Sequence, residues 1–103
     1  MNMDLSGLMQ EAQKMQREMR TLKEDLKKRT VLGEAGGGMV KAYVNGQQEV
    51  LKIEIDPQVV DPDDVDMLED LVLVALREGL TKSKEMSDEE MSRITGGQLP
   101  GLF

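Results

Sequence analysis

Residues 5–26, LSGLMQEAQKMQREMRTLKEDL, contain the clearest pattern in the chain. Apolar side chains recur there at alternating intervals of three and four, the a/d heptad pattern of a helix with one narrow apolar seam. The pattern predicts a helix over residues 6–29, about 36 Å long, whereas a globule of this size is only about 26 Å across. We therefore expect one end to project and the seam to form a homodimer interface. The predicted interface residues are Leu8, Ala12, Met15, Met19, Leu22 and Leu26.

Residues 30–56 predict three short antiparallel strands. Apolar and polar residues alternate through residues 39–44 and again through residues 51–56. This period of two is typical of strands with one apolar and one polar face. Asn45-Gly46 stands between the two runs. It predicts a two-residue type I′ turn, in which both central residues need a positive φ.

A second helix is predicted after the sheet. Asp61 is a suitable N-cap, Pro62 suits the first helical position, and apolar residues then follow at helical spacing. Residues 87–90, SDEE, have the sequence of a capping box. They predict a separate short last helix that ends near Thr95.

These patterns together predict an α+β fold. Its elements are a long N-terminal helix, a three-stranded antiparallel sheet, a C-terminal helix and a short last helix. The length of 103 residues fits one domain. We place that domain at residues 1–95 and a flexible tail at residues 96–103, because consecutive glycines end the last helix.

The composition excludes most catalytic chemistry. The chain has no Cys and no His, so zinc sites of the Cys/His kind, thiol nucleophiles and imidazole catalysis are excluded. No recognisable nucleophile or general-acid motif is present. No apolar run approaches the ~18 residues of a membrane span, and the N-terminus lacks a secretory signal. We predict a cytoplasmic protein that is not an enzyme and uses no cofactor, metal, membrane or small-molecule substrate.

Two motifs that could bind ligands are explained by local structure. The glycines at 33 and 36–38 match neither dinucleotide-binding nor P-loop spacing, and a strand follows them instead of a helix. We interpret them as a turn. The acidic residues from Asp61 to Asp70 lack the Gly and Glu that an EF-hand loop needs. Capping and the helix dipole account for acids at a helix N-terminus.

Charge is distributed unevenly along the chain. The net charge is −7, yet residues 1–29 hold seven bases and five acids, and the remainder holds six bases and fifteen acids. With Ala12 at heptad position a, five cations of the first helix fall at outward positions b, c and f. These five are Lys14, Arg17, Arg20, Lys27 and Lys28, with Lys23 and Arg29 as weaker candidates.

Two interpretations of this basic stripe compete. It is either a solvated helix face with pairs such as Glu24–Lys28, which is how most charged helix faces are explained, or a ridge that contacts phosphates. In the second case the cations release condensed counterions from a duplex. The residues alone do not decide between them, because the rest of the chain is acidic.

Six segments, in this order and spacing, resemble the YbaB/EbfC family of bacterial nucleoid-associated proteins over nearly the whole chain. The resemblance implies a small cytoplasmic homodimer whose helices project from a central sheet like tweezers. It also implies DNA binding that alters DNA conformation, with roles in nucleoid organisation and gene regulation. The segments are residues 8–16 (LMQEAQKMQ), 33–40 (GEAGGGMV), 44–46 (VNG), 54–57 (EIDP), 67–72 (MLEDLV) and 94–103 (ITGGQLPGLF).

The stripe and the resemblance together predict double-stranded DNA as the partner. We expect binding mainly to phosphates, with low sequence specificity, since no base-reading motif is present. The alternative is a dimeric protein-interaction module whose cleft binds a partner protein and which has no physiological DNA contact. The acidic net charge and the nine methionines favour that alternative.

Overall fold

The computed structural model describes residues 4–96 and consists of two long helices and a three-stranded antiparallel sheet in the order β1-β2-β3. The α+β class and the order helix, three strands, helix are as predicted. The elements are helix α1 (Leu5–Lys28), strands β1 (Thr30–Ala35), β2 (Val40–Asn45) and β3 (Val50–Ile55), a 3-10 turn (Pro57–Val59) and helix α2 (Val65–Thr95).

Helix α1 is anchored at its C-terminal end and projects at its N-terminal end. Asp4 caps it by accepting a hydrogen bond from the Gly7 N–H at 3.0 Å. Leu26 is 1% exposed, whereas Leu8 on the same seam is 58% exposed. The molecule is accordingly elongated, 75 × 22 × 16 Å. Its radius of gyration of 19.6 Å exceeds the roughly 13 Å of a compact domain of this length.

Strands β1 and β2 of the sheet pair in full register. Thr30 lies opposite Asn45 and Ala35 lies opposite Val40. The glycines at 36–38 connect these strands with φ angles of 63, 68 and 90°. They form a turn, as interpreted from the sequence, and only glycine adopts three such angles in succession without strain.

The connection between β2 and β3 differs from the predicted two-residue turn. It spans residues 46–49, and the positive φ of 63° belongs to Gln48 instead of Asn45 or Gly46. Tyr43 pairs with Lys52 but Val44 pairs with Val50, which leaves a bulge in β3. The longer turn is favoured because the Asn45 side chain bonds to its backbone, which a two-residue loop does not allow.

Helix α2 starts later than predicted and is not followed by a separate short helix. Asp64 is the N-cap and accepts from the Met67 N–H at 3.2 Å, whereas Asp61 accepts from the Asp63 N–H in the preceding turn. The helix continues through residues 87–90 to Thr95.

The predicted capping box at residues 87–90 therefore lies inside a continuous helix. Pairs across one helical turn stabilise this region, including Lys84–Asp88 at 2.9 Å and Arg93–Glu90 at 3.0 Å. Gly96 ends α2 with a φ of 71°, as expected of a helix C-terminus. The rest of the predicted tail, residues 97–103, lies outside the described residues.

Helix α2 packs on one face of the sheet at an unusually short distance. A Cβ at Gly33 would collide with the backbone of Ala75 and Gly79. Small side chains on both elements therefore let the helix backbone approach the strands. The resulting core is made of small residues, with Val40, Ala42 and Ala75 fully buried.

Candidate nucleic-acid interface

All seven predicted DNA-binding residues lie on the surface of α1 or at its end. They are Lys14, Arg17, Arg20, Lys23, Lys27, Lys28 and Arg29, and each is exposed. Arg29 is engaged within the chain, 3.9 Å from Asp25 and 3.8 Å from Glu90. Within residues 4–96 the other six form no ion pair. Their positive charge is therefore available to an external anion.

The cations occupy two sides of α1 that differ in their neighbours. On one side, Lys14 and Arg17 border a shallow depression shared with Glu18. On the other side, Arg20 and Lys23 border a depression lined by methionines of the seam. The second side carries no acidic lining residue, so an approaching phosphate meets less repulsion there.

The dimensions of the stripe suit a nucleic-acid backbone. From Lys14 to Lys28 it runs about 21 Å along α1, at 1.5 Å per residue. Phosphates of one DNA strand rise by 3.4 Å each, so the stripe covers the rise of about six phosphates. Long flexible cationic side chains adapt to such contacts without a fixed register.

The direction of α1 is set by the β2–β3 turn, through contacts that sequence reasoning missed. The Gly46 N–H donates to the carbonyl oxygens of Leu26 at 2.8 Å and Arg29 at 3.1 Å. The Gln47 side-chain amide donates to the Lys23 carbonyl oxygen at 2.7 Å. A Cβ at Gly46 would lie 2.6 Å from the Leu26 oxygen, so only glycine fits this contact.

The same turn is fixed to α2 by two buried polar residues. Ser83 is fully buried, donates to the Asn45 carbonyl oxygen at 2.6 Å and accepts from the Gln48 N–H at 3.0 Å. Asn45 is 2% exposed, and its amide donates to the Glu49 carboxylate at 2.8 Å. Through this turn the sheet and α2, which form the body of the protein, hold the C-terminal end of α1 in place. We call this end the root of α1.

The predicted dimer-interface residues separate into two groups. Leu26 is buried within its own chain, and Leu22 and Met19 are half-buried. Leu8, Ala12 and Met15 remain exposed. Only the N-terminal part of the seam is thus free to contact another molecule, and its role stays a prediction.

Within residues 4–96, no helix is long and apolar enough to cross a membrane. The acidic residues before α2 are used locally, since Asp61 closes a turn and Asp64 caps the helix. Their arrangement is that of a helix start.

Comparison with known proteins decides the family. The model of the YbaB/EbfC DNA-binding family matches residues 1–98. The chain belongs to this family. The prediction made from its sequence motifs is therefore confirmed, and the family is described by DNA binding and not by an enzymatic activity.

Relatives and a solved structure agree with this assignment. A protein of Thermoanaerobacter pseudethanolicus named as nucleoid-associated is 50% identical over 101 residues, covering 97% of this chain and 91% of its own. A protein of the same name from Acetivibrio thermocellus is 49% identical over 102 residues, covering 97% and 90%. The crystal structure of an uncharacterized Helicobacter pylori protein matches with a TM-score of 0.82 at 26% identity, covering 92% of this chain and all of that one.

Proposed function

We propose that this YbaB/EbfC protein is a nucleoid-associated protein that binds double-stranded DNA with low sequence specificity through the outward face of α1. The observation that carries the proposal is the set of six exposed cations on a projecting helix that form no ion pair within residues 4–96. Membership of a DNA-binding family supports it. Of the seven predicted cations, Arg29 alone pairs with an acid of α2, Glu90, at 3.8 Å within residues 4–96.

Contacts to phosphates account for the low specificity in this proposal. Sequence is read by side chains that reach base edges, commonly from a second helix inserted into the major groove. In residues 4–96, α1 leads directly into β1, and α2 packs on the sheet. Neither helix has the arrangement of a helix-turn-helix, whereas the lysines and arginines of α1 suit phosphate contact.

The proposal includes a homodimer in the cytoplasm, associated with the nucleoid. A dimer carries two copies of the basic helix α1. When both copies bind one duplex, or each binds a separate duplex, the conformation of the DNA changes. Such an effect supports roles in nucleoid organisation and gene regulation. Of the six seam residues predicted to form the dimer contact, Leu8, Ala12 and Met15 are exposed and available to a second copy. The proposal keeps a single domain of residues 1–95, followed by a tail.

The experiment is a fluorescence anisotropy titration of a labelled random-sequence duplex at several salt concentrations. Five outward cations predict a log–log slope of about −4.5 for one arm, at roughly −0.9 per phosphate. The double variant Arg17→Glu/Arg20→Glu is expected to lower affinity at least tenfold and to flatten the slope by about 2. A matched control, Lys82→Glu/Lys84→Glu, makes the same charge change on α2 and should retain most of the affinity.

Unchanged affinity of the α1 variant would show that this face does not bind DNA. An equal loss in the α2 control would show that net charge, and not the face, controls binding. Absence of binding by the wild-type protein at low salt would favour the protein-interaction module. Recovery of one partner protein after nuclease treatment would then identify its ligand.

A further inference from the structure

We propose that residues 97–103, GQLPGLF, bind to the seam of α1 in the same chain and cover Ala12 and Met15. The inference goes beyond the proposed function, which gives this segment no role. A second copy of the chain is the alternative occupant of these two side chains. Leu8, nearer the N-terminal tip of α1, stays outside the contact.

The C-terminal end of α2 lies beside the root of α1 and points toward the tip of α1. At 1.5 Å per residue, the 31 residues of α2 extend about 46 Å and the 24 residues of α1 extend about 36 Å. The molecule is 75 Å long, so the two helices follow one another along its length and overlap only briefly. Arg29, the C-cap of α1, lies 3.8 Å from Glu90 of α2 and marks the overlap. The residues of α2 that follow Glu90 therefore run alongside α1.

This overlap covers the seam only as far as Met19. On α1, Leu22 and Met19 are half-buried, and on α2, Met91 and Ile94 are half-buried. Partial burial on both helices is expected where two apolar faces meet at the ends of helices. Gly96 then ends α2 with a φ of 71°. The cover that α2 provides therefore stops at this point.

The seam beyond Met19 is uncovered within residues 4–96. Its next two positions, Met15 and Ala12, are both exposed. Met15 and Met19 line a depression on the surface of α1. An apolar segment placed there would continue the contact between α1 and α2 and remove these side chains from water.

The segment 97–103 has a composition that suits this surface. Leu99, Leu102 and Phe103 are apolar, and no residue of the segment has a charged side chain. Pro100-Gly101, between the two leucines, has the sequence of a type II turn, which brings the residues on either side of it together. A methionine sulfur also makes favourable contacts with an aromatic ring, and Phe103 supplies a ring for Met15.

The segment is long enough to reach both side chains. Seven residues in an extended conformation span at most about 23–25 Å. The distance along α1 from Met19 to Ala12 is about 10 Å, so a turn within the segment still leaves enough length. The outward cations lie on other sides of α1, at heptad positions b, c and f. The contact therefore leaves the DNA-binding face open.

Fluorine NMR on the full chain tests the contact. Phe103 is the only phenylalanine of the chain, so 4-fluorophenylalanine labels this position alone. The fluorine resonance should be displaced from that of a peptide of residues 97–103 with the same label. A nuclear Overhauser effect should connect the ring to the Met15 methyl group.

A matched pair of variants shows whether the seam causes the displacement. Met15→Glu places a carboxylate in the apolar contact and should return the resonance to the position of the peptide. Gln13→Glu places the same carboxylate on the outward side of α1 and should leave the resonance displaced. Both positions are exposed on a solvated stretch of helix, and circular dichroism checks that both variants fold.

The outcomes separate the two occupants. A wild-type resonance that coincides with that of the peptide would overturn the contact, as would a displaced resonance that Met15→Glu leaves unchanged. If sedimentation showed that Met15→Glu also dissociates a dimer, a second copy would be the occupant.

Mixed samples show which chain supplies the segment. One chain carries the fluorine label and the other carries ¹³C-labelled methionine methyl groups. An Overhauser effect between the two chains would place the segment on the seam of a second copy and overturn the contact within one chain. DNA binding is decided independently by the anisotropy titration, so the proposed function stands or falls on a different measurement.

Discussion

The body of this protein, made of the sheet and α2, and its arm, helix α1, are built under opposite constraints. In the body, α2 lies so close to the sheet that Gly33 meets the backbone of α2, and Val40, Ala42 and Ala75 are fully buried. Along α1 only Leu26 is buried. The body therefore supplies the stability of the fold and holds α1 in position, whereas the arm supplies exposed positive charge.

The arm depends on the body for its order. An isolated helix of about 15 residues is only marginally stable in water, because the first turn is costly to form. The arm has an N-cap at Asp4 and a buried root at Leu26, and most of the length between them is solvated. Changes in the body should therefore affect global unfolding, and changes in the arm should affect binding.

The largest expected change in the free energy of unfolding comes from adding a side chain at Gly33, where the sheet lies closest to α2. Gly33→Ala should destabilise the protein by about 3 kcal/mol or more, because the added Cβ meets backbone atoms that do not yield easily. Urea denaturation measures the change. Gly37→Ala is the matched control. Its φ is 68° but nothing lies within 4 Å of a Cβ there, so it should cost only about 1 kcal/mol.

A second test compares the root of the arm with its tip. Leu26→Ala should cost about 3 kcal/mol, since it leaves a cavity beneath the β2–β3 turn. Leu8→Ala should change the unfolding free energy of the folded chain by no more than about 0.5 kcal/mol. Thermal unfolding at matched protein concentrations measures both. Equal effects of the two variants would contradict the distinction between an anchored root and a free tip.

The elements that could be predicted from the sequence are those in which apolar residues recur at a regular interval. The heptad spacing of α1 and the alternation of the strands are both periodic, so they are visible in a window of ten to twenty residues. The outward cations of α1 followed from the same heptad. The glycines at 36–38 were recognisable as a turn because a strand follows them.

The errors arose where two local signals competed or where the partner is distant in sequence. Asp61 and Asp64 both suit an N-cap, and only the preceding turn decides between them. The capping box at 87–90 is overridden by a continuous helix. The contact between Ser83 and Asn45 joins residues 38 apart, so no periodic pattern reveals it. The positioning of the arm was therefore beyond sequence reasoning.

A smaller effect is expected where polar contacts connect the body to the arm. Ser83→Ala removes a donor to Asn45 and an acceptor for Gln48 in a fully buried position. The expected cost is about 1–3 kcal/mol, since the groups left behind lose their partner away from water. Hydrogen exchange should show faster exchange at Gly46 and Gln48. Unchanged exchange there would show that the turn holds the arm without Ser83.

The smallest effect is expected from the charges on the exposed face of the sheet. The pKa of Glu54 lies below its ordinary value, first because the Lys52 ammonium donates to it at 2.8 Å and then because the Tyr43 hydroxyl donates to it at 3.0 Å. A carboxyl whose pKa is lower when folded stabilises the protein above its unfolded pKa, and that contribution is lost as the pH falls through the folded pKa. The Lys52–Glu54 ion pair therefore weakens in acid.

An NMR titration of the Glu54 side chain measures this shift. The midpoint should move upward in Lys52→Gln, and by less in Tyr43→Phe, following the order of the two causes. An unchanged midpoint in Lys52→Gln would show that the Lys52 ammonium does not hold the pKa of Glu54 below its ordinary value.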